Sequence, residues 1–148
     1  MNIDKLREEL AADEGCVYEI YLDHLGLPTF GIGHLVTEND QEHGQEVGTP
    51  VSEERVQDVF AKDIVVTLDE CETLYEGFSE LPEEVQLICA NMMFNLGRTR
   101  FQKFVRFRAA VVEGDWAAAA DEMQDSLWSR QVPNRASRLI SRMRDLAV

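Results

Sequence analysis

Residues 14–34 read Glu14-Gly15-Cys16-Val17-Tyr18-Glu19-Ile20-Tyr21-Leu22-Asp23-His24-Leu25-Gly26-Leu27-Pro28-Thr29-Phe30-Gly31-Ile32-Gly33-His34, and within this stretch the chain changes character. Upstream, Ile3, Leu6 and Leu10 fall on one face of a helix over residues 3–13. Gly15, lacking a Cβ, suits the left-handed cap that ends such a helix. From Cys16 onward the texture is β-prone: Val17–Leu22 forms one run, and Leu25-Gly26 and Leu27-Pro28 punctuate it. Thr29-Phe30-Gly31-Ile32-Gly33 then alternates again, which predicts a small antiparallel sheet within residues 17–35.

Downstream, residues 37–50 are polar and carry Gly44, Gly48 and Pro50, the composition of a loop. Ser52 is placed to cap a helix whose first turn holds Glu53 and Glu54. Val56, Val59, Phe60, Ile64, Leu68 and Cys71 recur at helical steps, giving a helix of about 20 residues and about 30 Å. Beyond Gly77 the signals are helical. Val85, Ile88, Cys89, Met92 and Met93 form the buried stripe of a helix that starts near Pro82 and closes at Gly97. Phe101, Phe104 and Val105 are expected in one further helix, and Gly114-Asp115 caps another over Trp116–Met123. Trp128 begins a short element, and Pro133-Asn134 opens a last helix with Leu139, Ile140, Met143 and Leu146. The expected fold class is α+β: mostly helical and two-lobed, a small antiparallel sheet lobe joined by a long helix to a helical lobe. All 148 residues form one domain, with a β-containing lobe at about 15–50, a linking helix at 52–74, and a helical lobe made of 75–148 plus the N-terminal helix 3–13.

A chain of this length, 45% hydrophobic, can bury the core of one globular domain. No apolar run approaches the roughly 20 residues a membrane helix needs, so stable membrane insertion is not expected. Met1–Leu6 lacks the basic and apolar regions of a secretory signal, which points to synthesis as a soluble cytoplasmic product. Cys16, Cys71 and Cys89 form no C-x-x-C pair and read as buried thiols in a reducing compartment. His24, His34 and His43 have no metal-ligand spacing, and neither metal nor cofactor is expected. Residues 1–74 carry 18 acidic and 4 basic side chains, whereas residues 75–148 carry 10 of each. An acidic half repels phosphates and argues against nucleic acid as a partner.

Glu14, Asp23 and Thr29 sit where helix gives way to hairpin, and a hairpin folded back on the helix end could gather them. Two carboxylates and a hydroxyl suit glycosidic cleavage, in which one carboxylic acid protonates the leaving oxygen and a second group places a water. Spacing alone is weak support, because 28 acidic residues make neighbouring pairs common and most of them are solvated surface. The pattern Glu14, eight residues, Asp23, five residues, Thr29, then Gly31-x-Gly33-His34 resembles the active-site signature of the phage-type lysozymes, glycoside hydrolase family 24. Asn91-Met92-Met93-Phe94-Asn95-Leu96-Gly97 resembles that family's central buried helix. Trp128-Ser129-Arg130-Gln131-Val132-Pro133-Asn134-Arg135-Ala136-x-Arg138 resembles its C-terminal segment, so the likeness covers almost the whole chain.

The resemblance implies Glu14 as general acid, Asp23 as the group that orients or deprotonates water, and Thr29 as a hydrogen-bonding partner of that water. This is the inverting arrangement, with carboxylates about 6.5–9.5 Å apart. It also implies that Arg135 pairs with the catalytic glutamate and that His34 pairs with Asp63 as scaffold. Leu35 and Phe94 fall at substrate-cleft positions, a role that ordinary packing explains equally well. Gln131 and Asn134 could hydrogen-bond the glycan or a helix cap; Trp128 reads as core. The implied partner is a peptidoglycan glycan strand, cut at the β-1,4 bond between N-acetylmuramic acid and N-acetylglucosamine by a monomer acting on the wall of the host. A free endolysin released through a holin pore and a lysozyme carried on a virion tail or baseplate both fit. A lytic transglycosylase would need no water-holding pair, and an inactive wall-binding module would not need all three side chains. Two departures stand out. Phe107 and Glu122 replace polar residues of some family members, and the chain is acidic where many relatives are basic. High salt, positioning by a partner, or a less anionic wall would each account for the charge.

Overall fold

The computed structural model describes all residues from Met1 to Val148 and has the α+β architecture the sequence predicts. In chain order the elements are α1 (Ile3–Glu14), β1 (Val17–Leu22), β2 (Pro28–Gly31), β3 (His34–Leu35), α2 (Glu53–Leu74), a 3-10 turn at Phe78–Glu80, α3 (Glu83–Leu96), α4 (Arg98–Phe101), α5 (Val105–Glu113), α6 (Trp116–Gln124), α7 (Leu127–Gln131) and α8 (Pro133–Asp145). Contacts divide the chain into two compact units, Asp4–Val66 and Thr67–Val148 with Met1–Ile3. The 22-residue α2 runs through the boundary and supplies residues to both.

In the first unit the strands form an antiparallel sheet of order β1-β2-β3, with Tyr21 opposite Thr29, Leu22 opposite Pro28 and Thr29 opposite Leu35. The expected alternation through Gly33 stops at Gly31. Gly31 and Gly33 have φ of +64° and +66°, a region that glycine enters without a Cβ penalty, and they turn the chain from β2 into β3. Thr29, Phe30, Gly31 and Ile32 are all buried, where strict alternation would have exposed every second one. Helix α1 ends as expected: the Gly15 N–H donates to the Ala11 carbonyl at 3.0 Å, with Gly15 at φ +71°. Leu6 and Leu10 are fully buried, but Ile3, expected on the same face, is 41% exposed. Helix α1 groups by its contacts with the sheet, whereas the sequence assigns it to the helical lobe of residues 75–148. The Arg7 guanidinium stacks 5.2 Å from the Phe60 ring centroid and donates to Gln57, both on α2. Ser52 caps α2, its Oγ accepting from the Arg55 N–H at 3.1 Å.

The second unit packs around α3, whose residues from Val85 through Met93 are buried on every face. Gln86 belongs to that run; its amide donates to the Ser79 and Leu81 carbonyls and so ties the preceding turn to the helix. The single helix expected across Phe101–Val105 is two: α4 ends at Phe101 and α5 begins at Val105, with Phe104 between them. Both phenylalanines still reach the core, their rings 5.7 Å apart at the centroids. Cys71 and Cys89 are buried as expected, but Cys16, at the α1–β1 junction, is exposed. Burial pushes the Cys71 thiol up to about 12 and Cys89 well above its ordinary value, which keeps both as unreactive thiols.

Tyr75 is 1% exposed among Phe78, Phe101 and Phe107, and its hydroxyl has no hydrogen-bond partner. A buried donor left unpaired costs about 1–3 kcal/mol. Tyr75→Phe is therefore expected to stabilise the protein by about 1 kcal/mol, read as a rise of roughly 2–4 °C in calorimetric Tm. A lower Tm would show that the hydroxyl is satisfied.

Candidate active site

Glu14 is the last residue of α1 and is half-buried. Its carboxylate lies against the backbone of Gly33: a Cβ built there would stand 2.7 Å from Oε2 and 3.0 Å from Cδ. Only a glycine leaves room for the carboxylate at that place, so the Gly33 turn is the floor on which Glu14 rests.

Asp23 follows β1 and organises the β1–β2 turn. Its Oδ1 accepts from the Leu25 N–H at 2.8 Å and the Leu27 N–H at 2.9 Å, and its own N–H donates to the Leu27 carbonyl at 2.9 Å. This aspartate turn fixes the carboxylate, with Gly26 supplying the left-handed residue at φ +78°. Thr29, 4% exposed on β2, donates its Oγ1–H to the Leu27 carbonyl at 3.0 Å. With that proton engaged, its oxygen is left as an acceptor. One loop carbonyl and two loop N–H groups therefore hold both polar groups.

Tyr21 escapes notice in the sequence, although the signal is present: it lies two residues before Asp23 on a strand, hence on the same face. It stands opposite Thr29 in the ladder and is half-buried. Burial, then the charge of Glu14, then that of Asp23 raise its hydroxyl above the ordinary tyrosine value. One phenol thus lies within electrostatic reach of both carboxylates.

His34, on β3, is held from two sides. Its Nδ1 is 2.7 Å from Asp63 Oδ2 on α2, and its Nε2 is 2.8 Å from Asp40 Oδ2 in the loop. Spacing in the sequence does not reveal the Asp40 and Glu42 contacts. Asp40 also accepts from the Thr37 N–H at 2.8 Å and faces Arg55 at 3.5 Å, while Arg55 grips the buried Glu42 at 2.9 and 3.0 Å. An imidazole can donate to two carboxylates at once only when protonated. Burial opposes that charge, but the hydrogen bonds and charges of Asp63 and Asp40 outweigh it and raise the His34 pKa above 6.5. Asp40 is held below 3.8: burial works against it, and the Thr37 N–H and His34 prevail.

The pH dependence follows from those directions. A raised histidine pKa stabilises the fold fully below about 6.5, and that contribution is lost as pH rises through the folded value. A depressed Asp40 stabilises above about 3.8 and loses its contribution as pH falls. A tenfold change in proton affinity on folding corresponds to about 1.4 kcal/mol. His34→Gln is expected to destabilise most between about pH 4 and 6.5, with the gap to wild type narrowing toward pH 9 in urea titrations. A gap independent of pH would remove the imidazolium from the account.

The other candidates fall elsewhere. Leu35 pairs with Thr29 and is 45% exposed. In the second unit, Phe94 is half-buried on α3, while Gln131 and Asn134 are exposed around the start of α8. Arg135 is 8% exposed and donates from Nε to Asn91 Oδ1 at 2.8 Å. Trp128 is core, its Nε1–H donating to Asn95 Oδ1 at 2.7 Å. Phe107 is buried in the aromatic cluster, and Glu122 lines a surface groove of about 450 Å³ with Lys103 and Arg106. No set of three or more His, Cys, Asp or Glu side chains is arranged to hold a metal, and no helix is long and apolar enough to cross a membrane.

A carboxylic acid to protonate the leaving oxygen and a second polar group to place a water are what glycosidic hydrolysis uses. The sequence model of the phage lysozyme family matches residues 11–145, and the chain belongs to that family and is a lysozyme. It is 32% identical to the probable T4-type lysozyme 2 of Dictyostelium discoideum over 94% of this chain and 93% of that protein. It is also 28% identical to the pre-baseplate central spike protein Gp5 of Enterobacteria phage T4, over 90% of this chain and 26% of that protein. A further relative, 29% identical over 93% of this chain and 15% of its own length, is the peptidoglycan hydrolase gp36 of Pseudomonas phage phiKMV.

Proposed function

We propose that this lysozyme is a muramidase that hydrolyses the β-1,4 bond between N-acetylmuramic acid and N-acetylglucosamine with inversion, serving host cell lysis. The observation that carries the reading is the Glu14 carboxylate seated on Gly33 beside the Asp23–Thr29 hairpin. Glu14, protonated, gives its proton to the glycosidic oxygen as the bond to the anomeric carbon breaks. A water attacks that carbon from the opposite face. Asp23 takes the proton the water loses, and Thr29 accepts a hydrogen bond from the same water. Both N–H donors to Asp23 fall on Oδ1, which leaves Oδ2 for this task. Thr29 has committed its own proton to Leu27, so it can only receive one from the water. Fixing acid, base and water on pre-formed turns lowers the entropic cost of bringing them together.

Leu35 in the first unit, and Phe94, Gln131 and Asn134 in the second, are proposed as glycan contacts. Arg135, His34 and Asp63 are proposed as support. The proposed working form is a monomer that reaches the wall through a holin pore. A tail-borne entry enzyme is the second reading, favoured by similarity to a phage central spike protein. The test is mass analysis of products from purified peptidoglycan, with Glu14→Gln as the blank. Hydrated reducing ends at muramic acid support the proposal, 1,6-anhydro ends would indicate a transglycosylase, and binding without new ends would leave a wall-binding module. Proton NMR of the first-formed anomer tests inversion.

A further inference from the structure

We propose that Tyr21 is a positioning residue of this active site, its hydroxyl serving as a third polar group on the face that carries Asp23 and Thr29. The inference rests on the reading of Glu14, Asp23 and Thr29 as the catalytic set. Three observations meet at this side chain. Tyr21 and Thr29 are directly opposed in the β1–β2 ladder, which sets their Cβ atoms about 5 Å apart on one face of the sheet. Asp23, two residues on, continues the same alternation, and its N–H bond to Leu27 extends the pairing past the end of β1. Burial first, and then the charges of Glu14 and Asp23, raise the Tyr21 hydroxyl above its ordinary value.

The chemistry of a phenol suits that place. Half-buried and near two negative charges, the hydroxyl keeps its proton and is an uncharged donor. Asp23 and Thr29, as arranged, only accept from a water, and a site of acceptors alone fixes a water's two hydrogens but not its oxygen. A neutral donor on the same face supplies the missing direction, and the lone pair aimed at the anomeric carbon is then the one left over. The ring itself is half-buried, which limits how freely the hydroxyl moves.

The test is Tyr21→Phe, which keeps the ring and removes only the donor. Expected are a roughly 10- to 100-fold lower kcat on peptidoglycan, KM within about twofold of wild type, at least one limb of the kcat–pH profile displaced, and an unchanged thermal melt. Wild-type kcat and unmoved limbs would overturn the proposal. A loss of activity that follows a loss of folded protein would also overturn it, because the hydroxyl would then be structural. Tyr21→Leu, lacking ring and donor, is expected to fall further in kcat. If wild type itself released no reducing ends, the muramidase reading would fail, and that result is separate from any effect of Tyr21.

Discussion

Glu14→Gln is expected to leave about one-thousandth or less of wild-type turnover on peptidoglycan while the protein stays folded. The reasoning is chemical. A positioned general acid contributes roughly 10²–10⁴ in rate, and an amide cannot donate the proton that a departing sugar oxygen needs. A thousandfold loss corresponds to about 4 kcal/mol of transition-state stabilisation. The amide has nearly the shape of the carboxylate, so its seat on Gly33 is kept. Removing one negative charge from a chain of net charge −14 also relieves self-repulsion, and the melt should hold or rise slightly. Asp13→Asn, one position earlier on α1, serves as the control, because it makes the same charge change without touching the proposed acid. Release of reducing ends and a thermal melt, run on all three proteins, decide the matter. Glu14→Gln retaining more than about a tenth of the wild-type rate would remove Glu14 from the role of acid.

How much of this could be read from the sequence differs from element to element. Helix ends were legible wherever a glycine or a capping side chain marked them. Gly15, Ser52, Gly97 and Asp115 all sit at the helix boundaries they predict. The break between α4 and α5 was not, because residues 102–104 hold neither glycine nor proline and Phe101 and Phe104 keep helical spacing while facing one core. The hairpin was legible by period. Its end at Gly31 was not, since an alternating pattern says nothing about φ, and the two positive-φ glycines mimic small strand residues. The burial of α3 on all faces could be sensed from its motif only through resemblance; periodicity alone picked out one stripe.

The same division runs through the site. Glu14, Asp23 and Thr29 carry chemistry in their side-chain types, but among 28 acidic residues only the resemblance of the whole pattern singles them out. Asp40, Glu42 and Arg55 could not. They are separated from His34 by 6 to 21 residues, and among so many acidic side chains nothing in a linear sequence distinguishes the two that fold inward. An ion pair is specified by distance, which the loop 37–50 sets only once it has closed. Part of the unusual acidity of the first half is therefore structural: Asp40, Glu42 and Asp63 are committed to His34 and Arg55, not to solvent. For those three residues the charge imbalance needs no explanation from substrate or salt.

The second large effect is expected at a residue with no side chain. Gly33→Ala should cost both stability and activity, and the two losses have separate causes. At φ +66° an L-residue with a Cβ pays roughly 1–2 kcal/mol in backbone strain. The added methyl would also stand 2.7 Å from Glu14 Oε2 and 3.0 Å from Cδ, closer than atoms tolerate, so the carboxylate must leave its seat. Displacing a catalytic group by about 1 Å can cost about 10²-fold, and that is the fall expected in kcat per folded molecule. Gly31→Ala separates the two causes. It shares the backbone penalty, at φ +64°, but its Cβ would meet Val56 Cγ1 at 3.0 Å and not the acid. It should therefore melt lower while turning over normally once corrected for folded fraction. Equal kcat losses in the two variants would mean that the turn as a whole, and not the seat under Glu14, sets the geometry. A Gly33→Ala protein with wild-type kcat would show that Glu14 works from some other position.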